Sequence, residues 1–285
     1  MIEKIETLIV GGGQAGIAMS EHLSNYKIPH LVLERNRIAE RWRSERWDSL
    51  VANGPAWHDR FPNMEFTDFD PNGFPSKKQV VDYFVAYAEM IKAPIRCGVE
   101  VKEVRRNVGR PGFRIETSDG IFEANNVVAA TGPFQCPLIP DFKFESNRIT
   151  QIHSSQYHNS DQLPDGGVLV IGAGSSGSQI ADELLRAGKS VHLSVGPHDL
   201  PPRSYRGRDF VWWLGVLGKW EAVTKDPGTE HITIAVSGAH GGQTVDFRGL
   251  AERGIILLGR THSVKKNVMR FESDLAKNIA NGNSY

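Results

Sequence analysis

The apolar positions of the chain fall into a pattern that occurs twice. Thr7 to Val10 is a short β-rich run leading into Gly11-Gly12-Gly13-Gln14-Ala15-Gly16. A helix-like stretch follows to about Leu23, and then a second apolar run, His30-Leu31-Val32-Leu33-Glu34. Strand, glycine turn, helix and strand make a βαβ unit. The order recurs with Val168 to Ile171, Gly172-Ala173-Gly174-Ser175-Ser176-Gly177, a helix to about Ala187 and a strand from Ser190 to Val195. This duplication predicts an α/β chain with two Rossmann-like dinucleotide-binding domains, 1–150 and 151–285. Between the turns, Val80, Phe84, Tyr87 and Ala88 recur at helical spacing, which predicts an amphipathic helix over Lys77–Ile91. From Ile95 to Glu123, short alternating runs broken by Gly98, Gly109, Pro111-Gly112 and Asp119-Gly120 predict a small antiparallel β-meander. Asn126 to Ala130 is expected as a further buried strand, and Arg35 to Pro75 as ordered loop with short helical turns.

Composition narrows the partners more than the fold. Lys+Arg and Asp+Glu both number 33, so the balanced charge gives no reason to expect nucleic acid or an anionic membrane as partner. Cys97 and Cys136 lie 39 residues apart and form no CxxC pair, which suits a reducing compartment and suggests neither a disulfide framework nor a metal site. The chain shows no signal-peptide pattern after Met1 and no apolar run near the ~20 residues that span a bilayer. The expectation is a cytoplasmic protein.

The glycine turns carry chemistry. In a GxGxxG turn the first glycine allows the bend, the second lets backbone approach a pyrophosphate, and the third lets helix and strand pack closely. The helix N-terminus then offers free N–H groups and partial positive charge to phosphate. The two units differ at the end of the strand after each turn. Glu34, 18 residues after Gly16, can accept both ribose hydroxyls of an adenosine without a 2′-phosphate. The same count from Gly177 reaches Val195, beside Ser194, with no carboxylate to repel a 2′-phosphate. Arg203, Arg206 and Arg208 downstream form a basic cluster suited to such a phosphate, or else a solvated loop. The asymmetry predicts FAD at the first turn and NADPH at the second.

Together these residues resemble the class B flavin-dependent monooxygenases, the flavin-containing, N-hydroxylating, YUCCA-type and Baeyer–Villiger enzymes. Gly11 to Gly16 with Glu34 is similar to the family's FAD fingerprint, and Gly172 to Gly177 to its NADPH turn. Arg41-Trp42-Arg43 and Arg46-Trp47-Asp48-Ser49-Leu50 resemble its tryptophan-rich segment, although Ala39-Glu40 stands where a glycine pair is often found. Asn53-Gly54-Pro55 resembles the stretch whose asparagine lies near the reactive edge of the flavin. Phe74-Pro75-Ser76-Lys77 resembles the approach to the next helix, and Val127 to Gly132 the strand-to-linker element ending in Ala-Thr-Gly. His153-Ser154-Ser155-Gln156-Tyr157 matches the second half of the FxGxxxH signature, while Asn147 and Ile149 replace its phenylalanine and glycine. The resemblance adds Arg35, Trp42, Thr131 and Gly132 to the FAD residues.

It further implies NADPH reducing the flavin, and reduced flavin taking up O₂ as a C4a-(hydro)peroxide that transfers oxygen to a small organic substrate. Asn53 is the candidate hydrogen-bond donor, with an Asn-Gly turn as the competing reading. Phe210, Trp212, Trp213 and Leu214 wall a substrate channel or belong to the core. In the family a returning segment closes the FAD domain. None is recognised after Gly254-Ile255-Ile256-Leu257-Leu258-Gly259, where the remainder reads as a helix with a polar tail to Tyr285. A homo-oligomer, or a second chain completing the FAD domain, is therefore expected. The rival readings are a flavin reductase acting on a quinone or protein, and a nucleotide-binding subunit without activity of its own.

Overall fold

The computed structural model describes residues 2–134, 136–142, 144–223 and 233–282. The chain forms two compact units, each assembled from separated pieces. Unit 1 comprises Met1–Arg46, Arg60–Thr67 and Ser76–Pro137; unit 2 comprises Trp47–Asp59, Asp68–Pro75 and Leu138–Tyr285.

Unit 1 is built on one six-stranded sheet. Its members are β1 (Ile2–Val10), β2 (His30–Glu34), β3 (Ile95–Cys97), β4 (Val101–Arg106), β5 (Phe113–Thr117) and β6 (Gly120–Ala129), in the order β3-β2-β1-β6-β5-β4. The first four in that order are parallel and the last three form the antiparallel meander. Ile95–Cys97, expected in the meander, instead pairs in parallel with β2 as the third Rossmann strand. The two final strands expected there are one. β6 runs beside β1 from Ile121 to Ala129; its first half also pairs with β5 up to Ala124, and its second half, Asn126 to Ala129, with β1 alone. That second half is not the buried strand expected: Asn126 and Ala129 are exposed and Val127 and Val128 half-buried. Because the ladder with β5 ends at the pair Phe113–Ala124, it has a strand neighbour on one side only among the described residues.

Helices α1 (Gln14–Asn25), α2 (Glu40–Ser44) and α3 (Lys77–Met90) complete the unit. α3 starts where Ser76 and Gln79 form a reciprocal capping box, and it buries the stripe Val80, Phe84, Tyr87 and Ala88 that its spacing predicts, together with Val81 and Tyr83. Phe61 stacks on Tyr87 at 4.3 Å between ring centres, and the Tyr83 hydroxyl accepts the Phe61 N–H at 2.7 Å, which fastens the 60–67 segment to α3. Leu8, Leu33, Ile115 and Phe122 form a core shared by the parallel and antiparallel strands.

Unit 2 repeats the motif with β7 (Gly167–Ile171), α4 (Ser175–Arg186) and β8 (Ser190–Ser194). Further along come α5 (Phe210–Val216), α6 (Phe247–Glu252) and β9 (Ile256–Leu258), which lies in parallel against β8 to give the order β9-β8-β7. This matches β3-β2-β1 of unit 1. β10 (Thr261–Lys265) and β11 (Val268–Phe271) form a hairpin that the apolar pattern did not reveal, before α7 (Leu275–Gly282). Its two turn residues, Lys266 and Asn267, both have positive φ, the geometry of a two-residue hairpin turn. The expected polar tail at 283–285 lies outside the described residues. The 47–59 and 68–75 segments pair with each other through Ala52 N–H to Pro75 O (2.7 Å) and Ala56 N–H to Gly73 O (2.9 Å).

Candidate nucleotide-binding and reaction residues

The two glycine turns are near copies. Gly11 and Gly172 have φ of +113° and +98°, a region that favours glycine. Gly11 N–H donates to Leu33 O at 2.8 Å and Gly172 N–H to Ser194 O at 3.1 Å, so each turn is tied to the following strand. A β-carbon on Gly16 would overlap the Gly11 carbonyl, and one on Gly177 would overlap the Gly172 carbonyl. These are the close helix–strand approaches that the third glycine exists to permit. Gly13 and Gly174 stand at the N-caps of α1 and α4, and neither helix start receives a side-chain cap. Their first N–H groups are thus available to an anion, and Gln14, Ala15 and Ser176 are exposed at the two helix starts.

The ends of the second strands diverge as expected. Glu34 accepts Gly12 N–H at 2.7 Å with one oxygen and Asn36 N–H at 2.9 Å with the other. Both bonds aim the carboxylate over the turn, and each oxygen keeps a lone pair for a ribose hydroxyl. The residues therefore fit the adenosine half of FAD. In unit 2 the same place holds Val195, fully buried, with its N–H given to Leu258 O at 2.9 Å. Around the first turn, Trp42 is half-buried on α2, Arg35, Thr131 and Gly132 are exposed, and Arg41 donates to the Phe134 carbonyl just beyond Gly132.

Three residues expected at the second nucleotide are committed elsewhere. Ser194 is buried, donating to Gly259 O at 2.9 Å and bonding Thr261 Oγ1 at 2.8 Å. Ser175 donates to Ile234 O and accepts from Val236 N–H, so its hydroxyl anchors the 234–236 segment. Arg203 is turned inward and only 4% exposed. Its Nε donates to Asp209 at 2.8 Å and its Nη1 to Asn53 O at 2.7 Å, with the guanidinium 4.3 Å from the centre of the Phe74 ring. A phosphate would have to displace that ion pair. Arg206 and Arg208 remain exposed on a short hairpin whose tip, Arg206-Gly207, has positive φ at both positions.

Asn53 is held through both its backbone and its side chain. Gln179 Nε2 donates to Asn53 Oδ1 at 2.9 Å and to Val236 O at 2.7 Å. The Val236 carbonyl can only accept, so Gln179 must present its amino group here, and Asn53 must answer with its oxygen. That fixes Oδ1 toward Gln179 and leaves Nδ2 of this exposed residue without a partner among the described residues. Neither Asn53 nor Gly54 has positive φ, so this is not the glycine-dependent Asn-Gly turn. Gly54 N–H is instead taken by Asp59 at 3.0 Å.

Both residues of the HxxxY segment make local structural contacts. His153 Nδ1 accepts Ser155 N–H at 3.1 Å and caps a 3₁₀ turn. Tyr157 is buried and donates to Glu183 on α4 at 2.6 Å, while Ser49 donates to the other Glu183 oxygen. Burial first, and the Glu183 carboxylate second, push the Tyr157 hydroxyl well above its usual range, so it stays a donor. Gln179 and Glu183 were both missed from sequence; their signal is the i, i+4 spacing on the helix after the second turn. Trp212 and Trp213 pack edge to face at 4.8 Å and are half-buried, with Trp213 Nε1 donating to Tyr205 O.

Glu34→Ala removes an acceptor of charge-assisted bonds worth about 1.5–3 kcal/mol. The expected result is flavin loss on dialysis, read as the flavin-to-protein absorbance ratio. An unchanged ratio would detach Glu34 from the ribose.

Two Rossmann-like units with uncapped glycine turns, one with Glu34 over its turn and one with no carboxylate there, define a two-dinucleotide oxidoreductase fold. The chain belongs to the pyridine nucleotide-disulphide oxidoreductase family, whose model matches residues 8–206, and within that family it is a class B flavin-dependent monooxygenase relative. It is 40% identical over 218 residues to the oxidoreductase CzcO-like protein of Geobacillus kaustophilus, covering 75% of this chain and 61% of that one. It is 31% identical over 194 residues to the probable indole-3-pyruvate monooxygenase YUCCA1 of Arabidopsis thaliana, covering 66% of this chain but 46% of that one. The chain thus spans between about half and three fifths of the length of these two relatives. In fold it is similar to a flavin monooxygenase from Stenotrophomonas maltophilia mutated at two positions, with a TM-score of 0.65, 20% identity, and 92% and 80% of the two chains covered. The family implies flavin and nicotinamide nucleotide cofactors. Among the described residues, no helix is long and apolar enough to cross a membrane.

Proposed function

We propose that the protein is an FAD- and NADPH-dependent monooxygenase that inserts one oxygen atom into a small organic substrate. The observation that carries the reading is Asn53, whose amide is locked by Gln179 through its oxygen, leaving Nδ2 as the donor, on a residue matching the family's flavin-edge asparagine. When bound, the nicotinamide supplies hydride, and the reduced flavin supplies electrons to O₂. The chain's own residues do the rest. The α1 start and Glu34 hold the adenosine end of FAD, and the α4 start holds the NADPH pyrophosphate. Asn53 Nδ2 donates a hydrogen bond that no pH change removes, because an amide does not titrate in the working range. Gln179 sits one turn into α4 and also holds Asn53, so nucleotide binding and donor orientation share a helix. For NADPH over NADH, Arg206 and Arg208 are the available cations now that Arg203 is occupied.

The family also contains disulfide oxidoreductases, and Cys97 and Cys136 are exposed free thiols. They form no CxxC pair, so reduction of a quinone or protein is the rival. Rapid mixing of the reduced, NADP⁺-bound protein with O₂ separates the two. Oxygen uptake that precedes the return of oxidised-flavin absorbance by seconds is expected; simultaneous return would make the protein a reductase. The double variant Arg206→Gln/Arg208→Gln is expected to lower the NADPH-over-NADH ratio of kcat/KM about tenfold, the scale of one lost charge-assisted contact. A parent enzyme that uses both coenzymes equally would show these arginines to be surface only.

A further inference from the structure

A cavity of about 510 Å³ opens in unit 2 along one face of α4, a volume within the range of small-molecule sites, about 300–1,000 Å³. Its apolar lining includes Trp47 and Leu250, both buried, with Val51 and Val245. Its charged lining comprises Asp182, Glu183, Arg186, Asp246 and Arg253, with His240 beside Asp182.

The charged lining groups differ in how far their hydrogen-bonding atoms are used. Each Glu183 oxygen accepts a hydrogen bond, one from Tyr157 and one from Ser49. Asp246 caps α6 through Arg248 N–H at 3.0 Å. Asp182 accepts Arg253 Nη1 at 2.7 Å on one oxygen and Arg186 Nε at 2.7 Å on the other, with His240 Nε2 3.3 Å from the second oxygen. Partial burial works against the charge of Asp182, but the two arginines outweigh it and hold the carboxyl below its usual range. The arginines themselves are half used. Arg186 spends only Nε and Arg253 only Nη1, and their other N–H groups have no partner among the described residues. A guanidinium carries five N–H donors in a planar fork. The two guanidiniums therefore keep most of their donors, while every carboxylate of the lining already accepts at least one hydrogen bond.

We propose that this cavity binds an organic carboxylate, its charge held by Arg186 and Arg253 and its apolar body laid against Trp47, Val51 and Leu250. Gln179 lines the same cavity and orients Asn53, so an occupant sits one side chain from the proposed reaction residue. The inference uses unit 2 alone and stands whether or not oxygen is transferred.

Calorimetric titration of the full chain with 4-phenylbutyrate tests it, with the neutral 4-phenylbutyramide as control. The acid is expected to bind with Kd below about 1 mM and the amide at least about tenfold more weakly. Arg253→Gln should weaken the acid about tenfold. Asp182→Asn keeps both guanidiniums while removing their competing carboxylate, so it should tighten binding about three- to tenfold. It carries the test if Arg253→Gln does not fold. Ala239→Trp, which fills the cavity, should abolish binding. No heat up to about 10 mM, equal affinity for acid and amide, or unchanged affinity in Asp182→Asn would each overturn the proposal.

Discussion

Gly16→Ala is expected to cost unit 1 stability and flavin together, whereas Gly13→Ala costs the flavin alone. Inside a helix, glycine to alanine ordinarily stabilises by about 1 kcal/mol. At Gly16 the sign reverses, because the new methyl overlaps the Gly11 carbonyl on the turn beneath. Relief requires α1 to back away from β1, whose Leu8 and Ile9 are fully buried. Overpacking of this kind costs about 1–3 kcal/mol, and here the obstacle is backbone, which cannot change rotamer. At Gly13 a methyl meets nothing within 4 Å, and φ of −91° suits any residue. The flavin-free Gly13→Ala protein should therefore melt with the parent, yet its methyl occupies the space into which a pyrophosphate must come. Melting curves of the flavin-free proteins, together with their flavin content after reconstitution, separate packing from ligand approach. A flavin-free Gly16→Ala protein that melts at or above the parent would refute the close-approach account, and full flavin content in Gly13→Ala would refute the cradle.

The features legible in the sequence are those that depend on local pattern. Both turns, the strands around them and the Lys77 helix follow from glycine spacing and apolar period, and the structure bears them out to within a few residues. The position of Glu34 over the first turn was legible because its partners, Gly12 and Asn36, are close to it in sequence. Contacts across long separations were not. Ile95–Cys97 looks like one more meander strand until it is seen to pair with β2, about 60 residues earlier. Gly120 to Ala129 carries turn signals before it but none within it, and only the change of neighbours at Ala124 reveals its two roles. Ser194 ends a strand beside a nucleotide turn, a position that suggests a ligand contact. Its partners Gly259 and Thr261 belong to a segment whose hairpin had gone unseen. Arg203, Arg206 and Arg208 are alike in one dimension; burial alone distinguishes the first.

Arg203→Leu is expected to destabilise the protein by about 3–5 kcal/mol, the cost of removing one partner of a buried ion pair. The side chain of Asp209 is 16% exposed and faces Arg203 Nε at 2.8 Å, so leucine leaves a half-desolvated carboxylate without its cation. Desolvation lowers the Arg203 pKa, the nearby carboxylates oppose it, and the guanidinium stays charged throughout the accessible range. Leucine also surrenders the bond to Asn53 O and the stacking between Phe74 and Phe210 at 4.3 and 5.1 Å. Lysine keeps the charge but lacks the planar fork, so Arg203→Lys should fall between leucine and the parent. The double variant Arg203→Leu/Asp209→Asn distinguishes causes. If the stranded carboxylate is the larger part of the loss, neutralising it should restore about half, since removing both charges is far cheaper than removing one. Urea unfolding of the four proteins measures this, and a loss under about 1 kcal/mol in Arg203→Leu would return the residue to the surface cluster from which the sequence could not separate it. If the loss is as large as expected, Arg203 serves unit 2 as the clamp that fixes the backbone of Asn53, while Gln179 fixes its side chain.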